Sequence, residues 1–373
     1  MNMHARERNR QRWVWSCCAF LVCTLLVTPA QSACPKLLMT AGLNIHKQTN
    51  PQQAAYWGQT VGVQGFMVNY IVTDWQTDVG TNPDNGTWKL LRRFQSIYSQ
   101  HGVTDNFIKI GLYRGHDWHD AKQNQKATRN LAHAAALARY AGLKGLALDL
   151  EPYKPTWGGS AGGPELAKRV EAEGRKMGQA MHDAYPGMTL IVLPDVLRQV
   201  EHEKKASRDR GDKHHNGYGL SAPFVRGLLS IPWARVVIGT EFTYSAHAER
   251  IPLFMRQAAA RYRDDGPRAH DAAMADFSIA PGLWPLGPNA KDKSARFSPA
   301  EFRQRLQVAF DTSKQYVWIY GSNSAWQKDG PLGPVPGPVA TSFQQFLDAI
   351  HQVRANCSAK APPPSREIPH GTK

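Results

Sequence analysis

Eight short apolar runs recur along this chain, each followed by a stretch of helical period, and this alternation limits the fold more than any single residue does. The runs are read at 37–45, 65–71, 107–113, 145–151, 188–193, 235–241, 273–280 and 316–320. The helices between and after them are read at 51–61, 88–99, 131–140, 165–184, 224–229, 251–263, 299–311 and 342–354. Short apolar strands separated by helices are the pattern of a parallel sheet covered on both faces. Eight such units predict an α/β fold, a single-domain (β/α)8 TIM barrel, with a doubly wound open sheet as the other arrangement the pattern allows.

The two ends of the chain stand outside that pattern. Arg6, Arg8, Arg10 and Arg12 precede an apolar stretch at 13–27, and small residues follow at 28–33. That order predicts a signal peptide over 1–33 and an exported, secreted or periplasmic protein; an uncleaved segment acting as a membrane anchor is the alternative. The barrel is then expected over 34–357, with no membrane span after cleavage, and a polar, proline-rich disordered tail over 358–373. Cleavage leaves Cys34 and Cys357, and an even pair in an exported chain predicts a disulfide. Acylation of Cys34 is the competing reading, with Gln31 a poor residue at the third position before such a cysteine.

The chain carries 45 Lys+Arg against 30 Asp+Glu, a formal charge of +15. Nucleic acid is the usual partner of such a balance, but here the basic residues are scattered and export argues against it. An anionic polysaccharide or an envelope surface suits the charge better.

Within the fourth run, Leu146, Leu148 and Leu150 alternate with Ala147, Asp149 and Glu151, and Pro152 ends the ladder. Two carboxylates therefore leave one face at the carboxyl end of a buried strand, about 7 Å apart by strand rise. Carboxylates are costly to bury without partners, and the carboxyl ends of barrel strands are where ligands bind. Glu151 is expected to be the general acid. Asp149 is its modulator, unless it forms a barrel-interior ion pair with Lys109. Glu241, ending a second buried strand, is the expected nucleophile or base. The other strand ends add Asn69, Tyr70, Arg114, His116, Tyr153, Asp195, Tyr244, Asp276, Trp318 and Tyr320 as candidates for binding substrate. Carboxylates with aromatic faces are the composition of a carbohydrate site, so a polysaccharide or oligosaccharide substrate is expected.

Four connections on that side are read as loops: a glycine-rich flap at 154–164, a charged excursion or lid at 200–219 carrying His214-His215, and Pro/Gly-rich loops at 284–298 and 321–339 that hold Trp284 and Trp326. His116-Asp-Trp-His119 and His214-His215 invite a metal reading, but neither has a third ligand at a telling spacing. No cofactor is expected, since a dinucleotide fingerprint, a phosphate loop and a Gly-x-Ser-x-Gly elbow are all missing.

The segment Gly145-Leu-Ala-Leu-Asp-Leu-Glu151 resembles the fourth-strand signature of the family-18 glycoside hydrolases, the chitinase-like barrels, and Trp318 is similar to that family's sugar-floor tryptophan. The resemblance implies a barrel with Glu151 as acid. The family's two earlier motif aspartates fall on Lys144 and Ala147, and Glu241-Phe-Thr-Tyr244 replaces the tyrosine–aspartate pair of its sixth strand. A substrate-assisted mechanism needs those aspartates, so a glycosidase using Glu151 with Glu241 stays open beside it. A non-catalytic sugar-binding barrel and a metal-dependent hydrolase are the remaining readings.

Overall fold

The computed structural model describes residues 34–40, 43–152, 157, 163–210, 217–264, 277–286, 297–321, 326 and 338–360, with the backbone alone at 206–210 and 338–342. Eight parallel strands close into a barrel in sequence order: β1 (Lys36–Thr40), β2 (Gly65–Val68), β3 (Phe107–Gly111), β4 (Gly145–Asp149), β5 (Thr189–Leu193), β6 (Arg235–Thr240), β7 (Phe277–Leu283) and β8 (Tyr316–Tyr320). Closure is made by β8 against β1, in register from Lys36↔Tyr316 to Thr40↔Tyr320. The expected barrel is the fold.

Strand alternation sorts the core into two compartments. Leu146 and Leu148, Val236 and Ile238, and Val317 and Ile319 point outward into the layer shared with the helices. Leu38, Met67, Phe107, Ala147, Ile191, Leu193, Val237, Ala280, Tyr316 and Trp318 fill the barrel itself. The interior is therefore a packed plug, and a ligand can be held only above it.

The helical layer comprises α1 (Ile45–Gln48), α2 (Pro51–Ala55, continued by a π turn at Tyr56–Val61), α3 (Gly86–Ser99), α4 (Ala121–Ala141), α5 (Gly163–Ala184), α6 (Val196–Arg210), α7 (Ser221–Leu229), α8 (Ile251–Asp264), α9 (Pro299–Thr312) and α10 (Pro338–Lys360). Local chemistry sets their ends. Asp120 caps α4 by accepting from the backbone N–H groups of Lys122 and Gln123, and Gly142 ends it at φ +77°. Ser298 and Glu301 form a reciprocal capping box at the start of α9. Among the described residues no helix is long and apolar enough to cross a membrane.

Several boundaries differ from expectation for identifiable reasons. The first strand stops at Thr40, and Ile45 begins α1, where its carbonyl accepts from the Thr49 hydroxyl. The second stops at Val68, before Tyr70 turns the chain at φ +68°. The stretch 200–219, read as a loop, is helical through Arg210. It lacks glycine and proline over 195–210, and Glu201 ties it to Arg261 of α8 at 2.7 Å. The tail read as disordered from 358 is helical through Lys360. The signal peptide, His214-His215, residues 154–156 and 158–162 of the flap, and the tail beyond 360 lie outside the described residues.

Cys34 and Cys357 are joined, with Cα atoms 5.8 Å apart. The bond links the chain just before β1 to α10, which the closing of the barrel brings together.

Candidate active site

Above the plug the inward-facing positions turn polar. Lys109 of β3 stands next to Ala147 of β4 in the strand register, and its Nζ lies 2.6 Å from Oδ2 of Asp149. The interior ion pair anticipated from the sequence is thus present. Asp149 also accepts from the backbone N–H of Glu151 through Oδ1, at 3.1 Å. Glu151 sits two residues past β4 and Glu241 one residue past β6. Glu151, Asp149 and Lys109 all act electrostatically on Glu241, so the structure brings together the three carboxylates singled out from the sequence.

The wall that adjoins Glu241 is aromatic. Tyr244 packs edge-on against Trp318 at 5.2 Å and against Trp284 at 5.6 Å, and Trp284 meets Tyr320 at 4.9 Å. Trp318 donates its Nε1–H to the Ala280 carbonyl at 3.1 Å and is only 2% exposed. It underlies the wall; the faces left partly open belong to Tyr244, Tyr320 and Trp284. Glycine makes this packing feasible. A Cβ at Gly282 would come within 2.7 Å of the Trp318 ring and 2.8 Å of the Tyr244 ring.

Electrostatics divide the site. Burial, then the charges of Glu151 and Asp149, push the Glu241 carboxyl up to about 8, against the opposing pull of Lys109 and the Tyr244 hydroxyl. That hydroxyl donates to Glu241 Oε1 at 3.3 Å. Burial and the same carboxylates raise Tyr244, Tyr218 and Tyr320, which stay neutral donors. Burial opposes the charge on Lys109, but Asp149, with Glu151 and Glu241 behind it, more than restores it. At neutral pH the site therefore holds a cation below and a proton on Glu241.

Tyr218 was not anticipated, because the segment before it reads as a solvated lid. The structure buries it in the turn just before α7, with its backbone N–H donating to Glu203 at 3.0 Å. A cluster of tilted aromatic rings packs together: Trp75 lies 4.4 Å from His116 and 5.6 Å from Trp157, and Trp157 lies 5.1 Å from Phe224.

Other candidates sit elsewhere. Asp195 is fully buried between α6 and α8, 4.0 Å from Arg261 and accepting from the Arg198 N–H at 3.4 Å. Desolvation raises its carboxyl to about 6. Arg114 pairs with Asp74 at 3.5 Å on the rim, and Asn69 is half-buried beyond β2. His116 is occupied by Asn124, 2.7 Å from its Nε2. Among the described residues no group of three His, Cys, Asp or Glu side chains is placed to hold a metal ion. Tyr153 and Asp276 lie outside the described residues.

No protein-family model matches this chain. No curated protein matches it either. Solved structures resemble it in fold. Active domain 2 of the thermostable chitinase from Pyrococcus furiosus is 13% identical, with a TM-score of 0.48 over 88% of this chain and 98% of that one. The 3-keto-D-glucoside 4-epimerase from E. coli is 11% identical, with a TM-score of 0.43 over 86% and 99%. Endonuclease IV from Thermus thermophilus is 13% identical, with a TM-score of 0.45 over 85% and 100%. The reaction has to be argued from the residues at the mouth.

Proposed function

We propose that this protein hydrolyses glycosidic bonds of a polysaccharide or oligosaccharide, with Glu151 and Glu241 as the working carboxylates. The observation that carries the reading is the Glu241 carboxyl, held protonated at neutral pH beside Glu151 and facing an aromatic wall. Glycoside hydrolysis needs one carboxyl that keeps its proton and one that does not. Glu241 gives its proton to the departing glycosidic oxygen. Glu151 supplies negative charge at the anomeric carbon, either directly or by activating water. This exchanges the roles expected from strand position, where Glu151 was the acid. Tyr244, by donating to Glu241, aims the carboxyl, and the partly open faces of Tyr320 and Trp284 supply the stacking surface for a sugar ring.

The Cys34–Cys357 bond supports export, because such bonds persist in oxidising compartments. The net positive charge makes acidic envelope glycans the first substrates to try. The test is reducing-end release from neutral, amino and acidic polysaccharides by the purified protein. Release by wild type that is lost in Glu241→Gln supports the reading. Binding without release from any glycan returns the site to a sugar-binding role, and activity lost to chelators returns it to metal chemistry.

A further inference from the structure

Arg198 of α6 carries a guanidinium that no carboxylate claims. Its Cζ lies 3.9 Å from the ring centre of Phe242 and 4.2 Å from that of Phe254, so the cation sits between two phenyl rings. Phe242 directly follows Glu241 beyond the end of β6, and Phe254 lies on α8. The nearby carboxylates are engaged elsewhere. Glu201 accepts from Arg261 at 2.7 Å. Asp195 takes the Arg198 backbone N–H through Oδ1 at 3.4 Å, and its Oδ2 lies 4.0 Å from Arg261. Among the described residues none bonds the Arg198 guanidinium, and its Nη1 is enclosed without an acceptor.

The surroundings leave positive charge in surplus. Arg250 adds an exposed guanidinium 5.4 Å from the Phe254 ring, so Arg198, Arg250 and Arg261 outnumber Asp195 and Glu201. Burial, then the charge of Arg261 and more weakly that of Arg250, lower the Arg198 guanidinium against the pull of the two carboxylates. An added anion would relieve all three effects. Arg198, Phe242 and Phe254 are each half-buried, so the cluster reaches the surface.

We propose that Arg198, with Arg250 beside it, binds an anionic group, a carboxylate or a phosphate, on a sugar unit of the glycan that enters the mouth. This deepens the glycosidase reading and rests on it for the ligand being a glycan. A guanidinium between rings offers acceptors its N–H edge, and that planar fork matches two oxygens of a carboxylate or phosphate. The rings also hold the side chain in place before the ligand arrives, which reduces the cost of ordering it. Asp149 and Glu151 keep an anion out of the throat, so a charged unit is recognised beside it.

The experiment is an NMR titration of the purified, disulfide-bonded protein, following arginine side-chain Nε–H signals at fixed ionic strength, since screening alone moves exposed charges. Arg198 is identified by the signal missing from Arg198→Lys. The probes are sodium glucuronate, glucose 6-phosphate and glucose. Either acid is expected to shift the Arg198 signal saturably, the stronger of the two naming the anion, while glucose leaves it in place. Arg250→Gln, which keeps the stack, should weaken that acid severalfold, and Arg198→Gln should weaken it about tenfold or more. An Arg198 signal indifferent to both acids, or moved equally by glucose, overturns the proposal. The wild-type titration decides this even if Arg198→Gln does not fold. Glycan cleavage with an indifferent Arg198 overturns the anion site and leaves the glycosidase standing; saturable binding of an acid without cleavage of any glycan does the reverse.

Discussion

Glu241 owes its proton to where it stands, and that position has a cost visible in stability. Its folded midpoint of about 8 lies above the ordinary 4.5, so the folded state binds this proton more tightly than the unfolded chain. The resulting stabilisation is complete below about pH 4.5 and is lost as pH rises through about 8. Asp195 acts with the same sign between 3.8 and about 6. Below about pH 7 the His116 imidazole, lowered by burial, acts with the opposite sign; denaturant midpoints should therefore fall from about pH 7 to 9, and Glu241→Gln should flatten that fall. A wild-type profile that rises across this range contradicts the assignment. Tyr70 offers a second test at this scale. It is 67% exposed and holds φ +68°, a backbone region costly for any side chain with a Cβ. Tyr70→Gly should gain about 1 kcal/mol in chemical denaturation. At this scale the sequence disclosed the acidic residues and their faces, since alternation along 145–151 orders them. It could not disclose Tyr218, whose burial comes with a backbone tie to Glu203 of α6.

At the scale of the element, one glycine decides how the aromatic wall assembles. Gly282 lies on β7, and a Cβ there would press on Trp318 and Tyr244; a Cβ at Gly239 of β6 would press first on Leu193 of the plug. Gly282→Ala should lower stability by about 1–3 kcal/mol and alter the near-ultraviolet dichroism that Trp318 and Tyr244 produce. An unchanged spectrum would remove the wall from the account. Strand identities were legible because inward and outward residues alternate with period two. Strand ends were less so: Ile45 belongs by composition to the first apolar run, yet it lies in α1, where the Asn44 carbonyl accepts from Lys47 and Gln48 and the Ile45 carbonyl from the Thr49 hydroxyl. The charged run of α6 read as a loop because it has few apolar residues. Its helicity is supported instead by the Glu201–Arg261 bridge to α8.

The whole molecule is a barrel fastened at its seam. The Cys34–Cys357 bond spans 323 residues, a separation at which cross-linking restrains the unfolded chain strongly. Cys34→Ser should therefore cost about 2–5 kcal/mol without moving the mouth. Its check is a lower melting temperature with an unchanged Glu241 titration. Eightfold alternation made the closed architecture legible, and the cysteine pair agreed with it. The depth of Trp318 was not legible, because an aromatic residue at a strand end gives no sign of which neighbour covers it. The central claim is that Glu151 and Glu241 cleave glycosidic bonds together. The most direct measurement is reducing-end release from the best polysaccharide of the panel by wild type, Glu151→Gln and Glu241→Gln, each shown to be folded. The account predicts that each substitution lowers release at least about a hundredfold. Wild-type rates in either variant would contradict it.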